Sequence, residues 1–155
     1  EAHEIPAKPL DPYSYYNGDF IALEKAHLNK GWKLVDNWHP DNKAGKRNGF
    51  VDVPMLEATR PGDRLTLDFY GKAIGIFCVS GPSAGILEYS VDGAPFKELD
   101  TFTEWSHNLY IPWVYMLETE LKDMDHKLVL RISKKKNPAS QGTECQIRNF
   151  VVNDR

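Results

Sequence analysis

Five consecutive residues, Gly81-Pro82-Ser83-Ala84-Gly85, match G-x-S-x-G, the elbow on which a strand presents a nucleophilic serine ahead of a helix. Further on, Asp123 and His126 complete the chain order Ser, Asp, His. Assembled, the three would perform acyl transfer, as in an esterase or lipase. The flanking text argues against it. An elbow needs a helix after the serine, to expose the hydroxyl and aim backbone N–H groups at the oxyanion. Here the residues from Ala84 to Gly93 read AGILEYSVDG, an alternating strand closing on an Asp-Gly turn. The five-residue run reads instead as a hairpin loop between two antiparallel neighbours, its Gly and Pro supplying turn angles. Asp123 and His126 fall in a turn that opens a strand. The rival reading is a stand-alone small hydrolase working through its own cleft, with His107 and Glu104, or His39 and Asp41, as titratable pairs.

The elements that would position such residues are strands almost throughout. RLTLDFYG alternates Leu65, Leu67 and Phe69 against Arg64, Thr66 and Asp68, the period of two expected of a half-buried strand. AIGIFCVSG carries Ile74, Ile76 and Cys78 on one face and Phe77 and Val79 on the other, so it belongs inside a sheet and not at its edge. ILEYSVDG, HKLVLRIS and CQIRNFVVN continue the pattern, and KGWKLVDNW and FVDVPML add two strands around a polar loop. LYIPWVYML is strand-like, but Pro112 lacks an N–H and places it at an edge or bulge. Only Asp19 to Lys30 has a helical pattern, and its Phe20 and Ile21 suit a strand equally. The expectation is an all-β fold, an antiparallel β-sandwich or jelly roll of about eight strands with little helix. Residues 1–18 read as an extended leader or linker and 19–155 as a single β-sandwich domain.

The chain has 155 residues, 41% hydrophobic and 26% charged, with a net charge of -3. That size supports one core. The charge gives no reason to expect a nucleic-acid or anionic-membrane partner, and the basic run Lys134 to Asn137 reads as a solvated loop. No apolar run reaches the roughly 18 residues of a membrane span. The sequence opens without an initiator Met or a signal peptide, so a mature secreted or periplasmic protein, or an excised domain, is expected. Cys78 and Cys145 lie in apolar strands without metal-type spacing and read as buried thiols, with a bridge as the alternative.

From FYGKAIG at Phe69 onward the sequence resembles the accessory jelly-roll module, galactose-binding-like in architecture, of bacterial SGNH (GDSL-type) hydrolases. The likeness covers roughly residues 30 to 155 and rests on motifs in fixed order. These are F-x-G-x-A-x-G, SGPSAG, EYSVDG, FTEWSHNL, L-x-D-x-D-H-x-L-x-L-R-I-S and IRNFVVN. The family's catalytic blocks are missing from the chain: it has no Gly-Asp-Ser opening and no oxyanion Gly or Asn block. The resemblance therefore implies a non-catalytic module beside the catalytic domain of an SGNH-type carbohydrate esterase. Its partner would be a carbohydrate ligand or that adjacent domain.

Glycan recognition needs an apolar plate with a few convergent polar groups. Two stretches have that mixture. NWHPDNKAGKRNG sets Trp38 and His39 beside Asp41, Asn42, Arg47 and Asn48, and TEWSHNLYIPW sets Glu104, Trp105, His107 and Asn108 ahead of Tyr110 and Trp113. The candidate glycan-binding residues are Trp38, His39, Asp41, Arg47, Glu104, Trp105, His107 and Asn108. Trp105 and Trp113 read more readily as packing, Trp38 suits either role, and Trp32 and Tyr89 occupy inward positions of alternating strands. No cofactor is expected. A structural calcium at Asp41 and Asn42, or at Asp123 and Asp125, is the minority reading, and the histidines are too dispersed for zinc.

Overall fold

The computed structural model describes residues 3–153; the first two residues of the expected leader and the last two of the expected domain lie outside them. Eleven strands form: β1 (Gly18–Ile21), β2 (His27–Lys30), β3 (Lys33–Trp38), β4 (Val53–Ala58), β5 (Arg64–Gly71), β6 (Ile74–Ser80), β7 (Ile86–Val91), β8 (Lys97–Asp100), β9 (Ile111–Glu118), β10 (Met124–Ile132) and β11 (Cys145–Asn153). Three of them, β1, β2 and β8, are only four residues long. The segment with the helical pattern resolves into β1, a single 3-10 turn at Leu23–Lys25, and β2. No strand forms between residues 3 and 17.

The strands make two antiparallel sheets. The first runs β3-β4-β11-β6-β9, with β1 also pairing β11, and the second runs β2-β5-β10-β7-β8. Only β3–β4 and β7–β8 are sequential neighbours within a sheet; the other connections cross from one sheet to the other. Strand alternation explains the layering. Ile74, Ile76 and Cys78 of β6, Leu65, Leu67 and Phe69 of β5, and Leu128, Leu130 and Ile132 of β10 meet in one buried cluster between the sheets. Trp32 joins this cluster. Cys78 and Cys145 are buried free thiols in it, and burial raises the Cys78 pKa to about 11.

The crossings change the reading of the Ser83 loop. It is not a hairpin: β6 belongs to the first sheet and β7 to the second, so residues 81–85 carry the chain across the edge of the sandwich. Its glycines are there for close approach. A Cβ on Gly81 would lie 2.2 Å from the Tyr110 ring, and one on Gly85 would lie 2.6 Å from the Thr143 backbone.

A second, smaller core lies on the outer side of the first sheet. Trp38, Met55, Val79 and Tyr110 are buried there under residues 39–52, which contribute Ala44, Phe50 and Val51. Alternation produces this too: Leu56 and Ala58 of β4 face the main core, and Met55 faces outward. The remaining outer face of that sheet stays apolar and open. Phe20, Val114 and Met116 are exposed beside Val151, around a groove of about 530 Å³. The outer face of the second sheet is the opposite, a charged surface laced by Lys127–Asp68, Arg131–Glu88 and Lys135–Glu98 pairs. Lys135 belongs to the basic run, whose Lys136 donates to the Ser140 carbonyl.

At the far end of the sandwich, His126 is buried between two acceptors. Its Nδ1 is 2.6 Å from Asp92 Oδ2 and its Nε2 2.8 Å from the Lys122 carbonyl. Burial pushes the imidazole pKa down, but the bonds to Asp92 and to Lys122 prevail and raise it. Asp92 is shifted down, its partial burial outweighed by His126 and by the Lys127 N–H. A histidine with a raised pKa stabilises fully below its ordinary value of about 6.5 and loses that contribution as pH rises through the raised value. The Asp92 part is lost at the acid end, as pH falls through its lowered value. The melting temperature of the native chain should thus exceed that of His126→Gln most near pH 5.5 to 6.5. The gap, about 2–4 °C from the roughly 1 kcal/mol of a charged bond to a half-exposed partner, should narrow by pH 9. Thermal melts across that range read it directly; a constant gap would show that His126 acts by packing on Phe69 alone.

Candidate functional site

Register builds the site. Gln146 of β11 stands opposite Glu57 of β4, both on the outer face of the first sheet, with Lys33 of β3 opposite Glu57 on the other side and Trp38 at the end of β3 opposite Val53. Trp38 Nε1 donates to Glu57 Oε1 at 3.0 Å. Gln146 Nε2 lies 3.4 Å from Glu57 Oε1 and 3.4 Å from Glu144 Oε2, so one amide spans two carboxylates. Across the cleft, the Tyr110 ring sits edge-on to Trp38 at 5.3 Å, and its hydroxyl accepts a bond from Asn42 Nδ2 at 2.7 Å. These groups, with Asn37, His39, Pro40 and Asp41, line an open cleft of about 490 Å³. Burial raises the Glu144 pKa; Gln146 opposes the shift and the charge of Glu57 adds to it. Burial likewise raises the Tyr110 hydroxyl, against the Asn42 bond and with the help of Glu144 and Glu57.

The two polar stretches picked out in the sequence meet here. Gly45 N–H donates to the Asn108 carbonyl at 2.7 Å and Tyr110 N–H to the Gly45 carbonyl at 2.8 Å, zipping the first stretch onto the second. Trp38, His39 and Asp41 line the main cleft; His107 and Asn108 line a smaller one of about 220 Å³ beside it, with Asn42 on the wall between. Glu104, Trp105 and Arg47 line neither. Trp38 is buried, with its N–H already donated to Glu57. Trp105 and Trp113, expected to pack, are instead 63% and 52% exposed. Trp105 projects from the 3-10 turn Glu104–His107, and Trp113 lies on the edge strand β9, which no further strand covers.

Glu57, Glu144 and Gln146 were not among the residues picked out from the sequence. Each reads there as an ordinary polar residue of a strand or its approach, and only the β4–β11 register brings them together. His39 Nδ1 is 2.9 Å from Asp52 Oδ1, not paired with Asp41, and the His107 ring meets Phe102 edge-on. The Ser83 hydroxyl makes no hydrogen bond among the described residues, while His126 has both ring nitrogens engaged with Asp92 and Lys122. Among the described residues no three His, Cys, Asp or Glu side chains converge as metal ligands. Asn42 Oδ1 accepts from Ala44 N–H, and its Nδ2 donates to the Tyr110 hydroxyl.

No family model matches the chain, and no curated protein matches it. Solved structures do. The whole chain is similar in fold to part of a two-domain esterase active on acetylated mannans, co-crystallized with mannopentaose, at 17% identity and a TM-score of 0.69. It spans 41% of that protein's length. Some 89% of the chain is similar to 34% of a family two carbohydrate esterase from Cellvibrio japonicus, at 11% identity and a TM-score of 0.53. Some 88% is similar to 96% of a family 35 carbohydrate binding module from Clostridium thermocellum, at 14% identity and a TM-score of 0.50. The β-sandwich is a fold that these proteins share.

Proposed function

We propose that this chain is a non-catalytic accessory module of a secreted SGNH-type carbohydrate esterase, and that it binds glycan in the cleft between Trp38 and Glu144. The observation that carries the reading is the cleft itself. The aromatic side chains of Trp38 and Tyr110 converge there with the carboxylates of Glu57 and Glu144 and the amides of Asn42 and Gln146. This is the mixture of apolar wall and fixed polar groups that sugars require. The fold shared with two esterases and a carbohydrate binding module supports it. The parent's acyl chemistry belongs to another domain on this reading, because Ser83 lacks an activating base.

Affinity gel electrophoresis tests the assignment. Native chain should be retarded by a polysaccharide such as mannan. Glu57→Ala with Asn42→Ala should weaken retardation at least tenfold, while Trp105→Ala leaves it unchanged. Loss with Trp105→Ala alone would move the site to the exposed ring, and the absence of retardation by every polysaccharide would remove the glycan role. The same preparations should show no turnover of p-nitrophenyl acetate that Ser83→Ala abolishes.

A second role is favoured by the apolar outer face around Phe20, Val114, Met116 and Val151. An uncovered apolar groove of this kind is unusual on an isolated domain. It suits packing against the adjacent catalytic domain, on the same side of the sandwich as the cleft.

A further inference from the structure

The main cleft has a neighbour. Asn42 stands on the wall between it and the smaller cleft of about 220 Å³, lined by Lys43, Pro82, His107, Asn108 and Gln141. Asn42 is fixed from two sides: its Nδ2 donates to the Tyr110 hydroxyl at 2.7 Å, and its Oδ1 accepts the Ala44 N–H at 3.0 Å. The smaller cleft is built from four separate stretches of chain, and backbone bonds hold them together. The Gly45 N–H donates to the Asn108 carbonyl at 2.7 Å, and the Gln141 N–H donates to the Pro82 carbonyl at 2.9 Å. Pro82 is buried in the crossing from β6 to β7, and the His107 ring is braced edge-on against Phe102 at 5.0 Å.

The two clefts use their polar groups differently. In the main cleft, Trp38, Glu57 and Gln146 are bonded to one another, as are Asn42 and Tyr110. In the smaller cleft, the exposed side chains of His107, Asn108 and Gln141 make no hydrogen bond among the described residues. An amide carries both donors and acceptors, the pairing that a sugar hydroxyl answers with its own O–H and lone pairs. No carboxylate lines this cleft.

Resting on the main cleft as the glycan site, we infer that the site continues past Asn42 into the smaller cleft. Its ligand is a stretch of glycan chain that occupies both clefts at once, not a single sugar. The unit that enters the smaller cleft is already tethered by the units in the main one, so its contacts add affinity without a second cost of association.

Isothermal titration with mannose, mannobiose and mannohexaose tests this. The native chain should bind mannohexaose at least tenfold more tightly than mannobiose, the gain expected when a tethered second contact is made. Asn108→Ala with Gln141→Ala changes two exposed side chains outside both core clusters. It should bring mannohexaose down to about the native mannobiose level at an unchanged melting temperature. Trp105 lines neither cleft, and Trp105→Ala should leave mannohexaose affinity as it is. Equal affinity of the native chain for mannobiose and mannohexaose would overturn the extension and leave the main cleft as a short glycan site. So would a preference for mannohexaose that survives the double substitution, or one that Trp105→Ala removes. Failure of all three sugars to bind would overturn the glycan reading itself, and the extension with it.

Discussion

Gly81→Ala is expected to lower the melting temperature by roughly 4–8 °C and, on the proposed glycan site, to abolish retention as well. Gly81 begins the crossing from β6 to β7, and the face of the Tyr110 ring lies where its side chain would be. An added methyl would sit 2.2 Å from Cε1, 2.4 Å from Cδ1 and 2.7 Å from Cζ of that ring. The ring has nowhere to go. It is buried, held edge-on by Trp38, and tied through its hydroxyl to Asn42. Overpacking of this kind costs about 2 kcal/mol, which gives the stated shift for a domain of this size. The binding loss follows from the same displacement. Moving Tyr110 breaks the Asn42 bond and opens the contact between residues 39–52 and Asn108, so the cleft loses a wall. Retention measured well below the melting transition separates the two effects: a purely global destabilisation would leave it intact. Ser83→Ala, two residues away, removes a hydroxyl without a partner and should change neither quantity by a measurable amount.

The contrast between these neighbours shows what the chain reveals before it folds. G-x-S-x-G has the form of a nucleophile elbow, yet its two glycines serve contacts with Tyr110 and Thr143 that are distant in sequence. No local signal could announce them. The strands themselves were legible, because Leu65, Leu67 and Phe69, or Leu128 and Leu130, alternate with polar partners as a half-buried strand demands. Alternation gives two faces but not the partner strand. For that reason the Ser83 loop looked like a hairpin, since Gly and Pro mark a hairpin and a crossing alike. The cleft was half legible. Trp38, His39, Asp41 and Asn42 cluster in sequence as one mixed aromatic and polar stretch, and Tyr110 lies in the other. Glu57, Glu144 and Gln146 stayed hidden, because a polar residue facing outward on a strand looks like any solvated position until the β4–β11 register places it. The exposure of Trp105 and Trp113 is illegible for a related reason: a tryptophan's burial depends on whether another strand or turn covers it, and edges are set by topology.

Gly31→Ala should be the most damaging single methyl in the chain, lowering the melting temperature by about 10 °C or more. Gly31 lies between β2 and β3, where the chain passes from the second sheet to the first, and its φ is +74°. A side chain in that left-handed region costs about 1–2 kcal/mol. The site is also occupied. An alanine Cβ would fall 1.8 Å from Asp63 Oδ1 and 2.0 Å from its Cγ. Asp63 is buried to 1% exposure and is not free to turn away. Its Oδ2 accepts the Arg60 N–H at 3.1 Å, closing the turn from β4 to β5, and its backbone carbonyl accepts the Ile132 N–H at 2.9 Å. Two crossings between the sheets therefore touch at Gly31 and Asp63, and Trp32 enters the main core immediately afterwards. Displacing the carboxylate adds an overpacking cost of about 1–3 kcal/mol to the backbone strain, which together yield the expected shift at 2–4 °C per kcal/mol. A double-mutant cycle divides the two contributions. Asp63→Gly removes the obstacle at the expense of the Arg60 bond, so Gly31→Ala should cost only the backbone part in that background, about 1–2 kcal/mol. If Gly31→Ala cost the same in both backgrounds, the crossing would be governed by backbone conformation alone, and the contact between the two connections would carry no weight in holding the sheets together.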